Sequence, residues 1–229
     1  MLKVFSAGHN LKEMTVETSY DYHMEIFNTC EKMMLLVGQV SLSNNSTSLP
    51  TTHSSYPQVP VPVVGVVTGL AAAAGCQLIS SCDLVVASPA ATFSTPGAAV
   101  GLFCHTPGIP LARRVPRAVS GYMLLTGEPI NAEEAYNAGL VSKLVQEDKV
   151  NEEVEGICAA IAKKPRGVIT LGKRFYQQQI EMAMSAAYPA GGKVMADNFW
   201  YKDAQENIAA FKEKRTPVFS HTQDKVETD

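Results

Sequence analysis

Apolar positions along this chain fall into two kinds of pattern. Residues 63–68 (VVGVVT) and 84–87 (LVVA) are short, continuous and β-branched, as expected of strands covered on both faces. Between them, residues 70–81 are rich in helix formers and lack strand alternation, so 63–88 reads as a strand-helix-strand crossover. Residues 91–96 predict a short strand entering a turn, and 106–110, with Pro107, Gly108 and Pro110, predict a loop. Helical spacing of apolar residues marks 16–34 and then 150–163, 167–188 and 193–214, with Pro165, Pro189 and Pro217 as punctuation. Asn131 followed by Glu134 has the form of a capping box, and Gly139 that of a helix stop. Strands come early and helices late, which places the chain in the α/β class.

One stretch breaks the pattern. Residues 37–58 are crowded with Ser, Thr, Asn and Pro and read as a long polar surface insertion. The sequons at Asn44 and Asn45 and the histidine at His53 fall inside it and are read as parts of a polar loop.

Composition sharpens this picture mainly by exclusion. With 229 residues, 46% hydrophobic, 18% charged and a net charge of −3, the chain can bury an ample core as one globular domain. Two small basic clusters, Lys163, Lys164 and Arg166, and Lys212, Lys214 and Arg215, read as solvated faces, so no nucleic acid partner is expected. The apolar run over 61–74 is interrupted by Pro62, Gly65 and Gly69, and no membrane span is expected. Cys30, Cys76, Cys82, Cys104 and Cys158 lack C-x-x-C spacing and read as reduced, mostly buried thiols, with no metal site. Met1 leads directly into Leu2, Lys3, Val4 and Phe5 with neither an apolar h-region nor an Arg-rich leader, so no targeting segment or transit peptide is read here.

The candidate chemistry sits in the crossover. Gly69, Ala71, Ala72, Ala73, Ala74 and Gly75 present almost no side chain where the helix begins, so a ligand or another backbone can approach closely. Free N–H groups and the positive end of the helix dipole point there, a setting able to hold an oxyanion. The same composition also fits a helix squeezed between a sheet and a neighbour. The spacings of nucleotide phosphate loops are absent.

Three stretches, FSAGHNLKEM (5–14), VTGLAAAAGCQLISSCDLVVAS (67–88) and FSTPGAAVGL (93–102), resemble the crotonase superfamily, the enoyl-CoA hydratase/isomerase fold. LLTGEPINAEEAYNAGLVSKLV (124–145) and FKEKRTPVF (211–219) extend the resemblance, which runs over 4–219 apart from the polar stretch. It implies a crotonase-like fold of repeated β-β-α units: a core over 1–142, a C-terminal helical region over 143–219 and a tail over 220–229. It also implies an acyl-CoA thioester as ligand, with coenzyme A part of the substrate and no other cofactor, in mitochondrial fatty-acid metabolism. By resemblance the final helices pack in a homotrimer or hexamer, although an amphipathic pattern fits packing on the chain's own core equally.

The resemblance assigns two oxyanion-hole N–H groups to His9 and Ala74, and the wall along the CoA nucleotide to Asn10, Leu11 and Lys12. The family prefers a small residue where His9 stands and aspartate where Asn10 stands; His9 is expected as a surface imidazole at a turn. The decisive departures are the two hydratase glutamates, which fall at Gln77 and Gly97. Glutamine can orient a water but cannot exchange a proton, and glycine supplies nothing. Acid-base help is worth about 100- to 10,000-fold per group, so little or no enoyl-CoA hydration is expected, and the chain reads as an acyl-CoA binder or pseudoenzyme. The alternative is an active lyase, isomerase or hydrolase that uses the oxyanion hole with other residues. Cys104 and His105 are adjacent, but neighbours in sequence rarely face each other; a buried thiol and a loop histidine are expected. Asp83 is expected to cap or turn rather than catalyse. Family members carry roughly 50 residues of strand and helix before the FSAG-like segment. The sequence therefore reads as N-terminally truncated, with unpaired strand edges and a weakly stable or aggregation-prone product expected.

Overall fold

The computed structural model describes residues 4–15, 17–38 and 59–227. They fall into two units, Met1–Gly38 with Val63–Gly156, and Gln39–Pro62 with Ile157–Asp229. The polar stretch lies outside the described residues except at 37–38, which end a helix, so its reading as an insertion has no structural counterpart here.

The first unit opens with β1 (Val4–Ser6), a 3-10 turn at Leu11–Glu13 and α1 (Tyr20–Gly38). α1 starts later than the apolar spacing predicts because Ser19 caps it, its hydroxyl accepting from the Tyr22 N–H at 3.1 Å. β2 (Val64–Val67), β3 (Leu70–Ala72), α2 (Ala74–Ser81), β4 (Leu84–Ala87) and β5 (Thr92–Ser94) follow. The crossover is thus strand-strand-helix-strand, and the helix predicted over 70–81 begins only at Ala74. The reason is pairing: Leu70 lies opposite Val4 of β1 on one side and Thr92 of β5 on the other, and this double ladder overrides the helix propensity of the alanines.

α3 (His105–Arg114) occupies the predicted loop at 106–110. Pro107 falls in its first turn, where a missing N–H costs nothing, and Pro110 forfeits a single bond. The fully buried Leu111 anchors this helix in the core. α4 (Arg117–Thr126), β6 (Ile130–Asn131), α5 (Ala132–Asn137) and β7 (Lys143–Leu144) complete this part. Asn131 and Glu134 form the expected capping box. Gly139, at φ 84°, ends α5 with its N–H on Tyr136 O and that of Leu140 on Ala135 O, a Schellman motif.

β1, β3 and β5 run parallel, with β6 antiparallel to β5; β2, β4 and β7 form a second, parallel sheet. The core between these elements holds Val67, Ile79, Val85, Phe93, Leu111 and Met123, all fully buried. Among the described residues β1 and β2 are edge strands, and Val4 and Phe5 are exposed.

α6 (Val150–Ala162) begins in the first unit; α7 (Arg166–Ile180), α8 (Met184–Phe199) and α9 (Lys202–Glu213) belong to the second. The breaks fall at 181–183 and 200–201, not at Pro189, which lies inside α8. There the proline loses one helical bond, while Gly191 lets the Phe175 ring of α7 close in: a Cβ at 191 would stand 3.2 Å from it. The buried Lys173 donates to Val61 O at 3.0 Å and Thr170 to Pro60 O at 2.8 Å, fastening 60–61 to α7. The tail is held as well. Buried Asp203 accepts from the Ser220 N–H, the Ser220 hydroxyl and the His221 N–H at 2.7 to 2.8 Å, and the Val226 N–H reaches Trp200 O. No helix among the described residues is long and apolar enough to cross a membrane.

Candidate active site

The turn from β3 into α2 is made by Ala73, whose φ of 49° and ψ of −118° lie in a region that favours glycine. It is held from both sides: the Ala73 N–H donates to Ser94 O at 3.0 Å, and Ala73 O accepts from the Gln77 N–H at 2.9 Å. Ala74 follows as the first residue of α2. Its N–H has no acceptor among the described residues, and neither has that of His9.

The chain leaving β1 closes on this turn because both sides lack side chains. A Cβ on Gly75 would stand 2.6 Å from Ser6 Cβ and 2.7 Å from Ser6 O. One on Gly8, at φ 95°, would stand 2.7 Å from Ala73 Cβ and 3.3 Å from Ala74 N. His9 therefore follows directly from a glycine packed on the helix start. Its half-buried ring meets Phe27 of α1 edge-on, centroids 5.7 Å apart, rather than lying free at the surface. Asn10 caps the 3-10 turn, its Oδ1 accepting from the Lys12 N–H at 3.3 Å and its Nδ2 donating to Glu13 at 2.7 Å. Leu11 and Lys12 are exposed.

Gln77, one turn into α2, is buried, and the Cys30 thiol of α1 lies 3.8 Å from its Oε1. Burial pushes the Cys30 thiol up from its ordinary pKa. Gly97 sits in the 3-10 turn Pro96–Val100 after β5, three residues beyond the Ser94 that holds Ala73. No side chain fits at 97: a Cβ would stand 2.6 Å from Leu102 O, 2.8 Å from Cys104 Sγ and 3.1 Å from Cys104 N. The Gly97 N–H donates to Cys104 Sγ at 3.3 Å. Burial raises the pKa of the Cys104 thiol, with the Gly97 N–H pulling more weakly the other way; burial pushes that of Cys76 up to about 12. Both thiols stay protonated at neutral pH, a poor state for a nucleophile. His105, exposed, is the first residue of α3 and not a loop residue; its ring lies 4.9 Å from that of Phe103.

Asp83 has the structural role expected of it, its carboxylate accepting from the Val63 N–H at 2.7 Å. Beside it lies a residue that sequence reasoning missed. The Arg114 guanidinium donates to the carbonyls of Ser80, Cys82 and Asp83, so a cation closes the negative end of α2. Nothing local in 111–115 marks Arg114 over Arg113 for that task. A cavity of about 690 Å³ in the second unit is lined by Ala196, Phe199, Trp200, Gln205 and Val226; no candidate residue lines it.

Parallel β-β-α units around an alanine- and glycine-lined helix start place the protein in a recognisable class. The chain belongs to the enoyl-CoA hydratase/isomerase family, whose profile matches residues 1–223. Among curated relatives, enoyl-CoA hydratase domain-containing protein 3, mitochondrial, of Homo sapiens is 48% identical over 218 residues, 95% of this chain and 66% of that protein. The Xenopus laevis protein of the same name is 46% identical over 219 residues, 96% of this chain and 68% of its own length. The chain thus spans about two thirds of these relatives. The crystal structure of the human protein superposes with a TM-score of 0.82 at 47% identity, covering 93% of this chain and 77% of that one. An enoyl-CoA hydratase structure from Mycobacterium smegmatis gives 0.83 at 39% identity, with 94% and 77% covered. The relatives are mitochondrial by name, which supports a mitochondrial location for this chain.

Proposed function

We propose that this chain binds an acyl-CoA thioester at the turn between β3 and α2 and has little or no enoyl-CoA hydratase activity. The observation that carries this reading is the packing at Gly97. A family position expected to hold a carboxylate has no room for even a Cβ, and its counterpart on α2 is the buried amide of Gln77. A thioester oxygen would accept from the Ala74 and His9 N–H groups, and backbone donors survive side-chain change. Asn10, Leu11 and Lys12 would flank the CoA nucleotide, and coenzyme A would enter as part of the ligand. Fatty-acid metabolism and assembly as a homotrimer or hexamer belong to the same reading, by family resemblance.

The strained Ala73 favours a second reading. Backbone held in a sparsely populated conformation is common where a donor is preset for chemistry. On that reading the hole serves an isomerase, lyase or thioester hydrolase working without the glutamate pair.

Calorimetric titration with butyryl-CoA, against free CoA as the control for nucleotide binding, tests the binding reading. Tighter binding of the thioester is expected; equal binding of both, by a folded sample, overturns it. Incubation with crotonyl-CoA separates the two readings: no hydration and no turnover of any acyl-CoA supports a binder, and turnover supports the second.

A further inference from the structure

Thr95 follows Ser94, whose carbonyl holds the Ala73 N–H, and precedes the turn that carries Gly97; its hydroxyl is unused. It is fully buried, and Oγ1 has no hydrogen-bond partner among the described residues. A buried polar atom without a partner is rare and calls for a reason. The position makes it stranger still. Thr95 is the N-cap of the 3-10 turn Pro96–Val100, where a threonine hydroxyl ordinarily accepts a backbone N–H. It takes none: Pro96 has no N–H, and the Gly97 N–H goes instead to Cys104 Sγ, a poorer acceptor.

The backbone places Thr95 next to the strand end that holds the turn with the candidate donors. Ala72 lies opposite Ser94, and Ser94 O binds the Ala73 N–H, so the tip of β5 adjoins the turn from which the Ala74 N–H emerges. Thr95 is the next residue, two before Gly97. Two other buried side-chain oxygens, Ser88 Oγ and Asn198 Oδ1, are also without a partner among the described residues.

We propose that the Thr95 hydroxyl is a ligand-contacting group of this site, donating a hydrogen bond to the acyl thioester held at Ala74. This rests on the binding reading above. The Cys104 thiol has a part in it, because by engaging the Gly97 N–H it leaves the threonine free of its capping duty.

Titration of butyryl-CoA and free CoA into the wild type, Thr95→Val and Thr95→Ser tests it, with thermal melting of each variant. Valine keeps the shape and removes the hydroxyl; serine keeps the hydroxyl and removes the methyl. Thr95→Val is expected to weaken butyryl-CoA binding about 5- to 10-fold with free CoA unchanged, as for loss of one hydrogen bond, and Thr95→Ser to retain most of the affinity. Should Thr95→Val melt early, Thr95→Ala against Thr95→Ser gives the same comparison. If the wild type prefers the thioester and Thr95→Val binds it equally well, the Thr95 contact is refuted while the binding reading stands. If the wild type shows no preference, the binding reading fails and takes the contact with it.

Discussion

Position 97 sets the chemical limits of the proposed site. Its neighbours include a main-chain carbonyl, Leu102 O, which cannot rotate away as a side-chain tip can. Gly97→Glu is therefore expected to restore no crotonyl-CoA hydration and to destabilise the fold by about 1–3 kcal/mol in urea denaturation, the usual cost of overpacking. Ala73 predicts the opposite sign. Its positive φ is free for glycine and strained for alanine, so Ala73→Gly is expected to gain about 1 kcal/mol in the same assay. The expected replacement of both acids is read from the sequence alone, because Gln77 and Gly97 stand inside the stretches that carry the family resemblance. The closure around 97 is not, since it depends on the path by which Leu102 and Cys104 return to the turn. Nor is the contact of His9 with Phe27, which requires knowing how α1 packs.

Secondary elements were readable where their determinants are local. The cap at Asn131 and the stop at Gly139 each need only a few consecutive residues. Asn131→Ala removes the side-chain acceptor of the Glu134 N–H, 2.9 Å away, and is expected to cost about 1 kcal/mol in urea denaturation. β3 was illegible for the converse reason: a leucine and two alanines favour a helix until β1 and β5 flank them, and those partners are remote in sequence. Pro110 of α3 and Pro189 of α8 misled in the same way. Each removes a single bond, which tertiary packing outweighs, as the burial of Leu111 illustrates.

At the scale of the whole molecule, each unit has its own means of fixing loose segments. In the second, Glu206 accepts from Arg215 Nη1 at 2.6 Å and Nη2 at 2.8 Å, and from the Val218 N–H at 2.8 Å. The guanidinium first, then the Val218 N–H, lowers the pKa of this carboxyl from 4.5 to about 2. Because the folded value is depressed, the attachment is fully present above about pH 4.5 and is lost as pH falls towards 2. The hydrogen-exchange protection factor of the Val218 amide is expected to fall over that window, and to be low and flat in Glu206→Gln. Family class was legible because the motifs recur at family spacing, whereas the order of elements was legible only in part, β3 and α3 being the exceptions in the first unit. The clasp of the tail by Asp203 was not, for it joins residues 17 and 18 positions apart that carry no motif.

The tight return of the chain from 97 to 104 also bears on protein engineering. A library that varies only residue identities at 97 and 104 can shrink the thiol but leaves Leu102 O in place. A proton-transferring carboxylate at 97 is thus to be sought among insertions and deletions in the segment between, where segment length rather than the amino acid alphabet is the variable that matters.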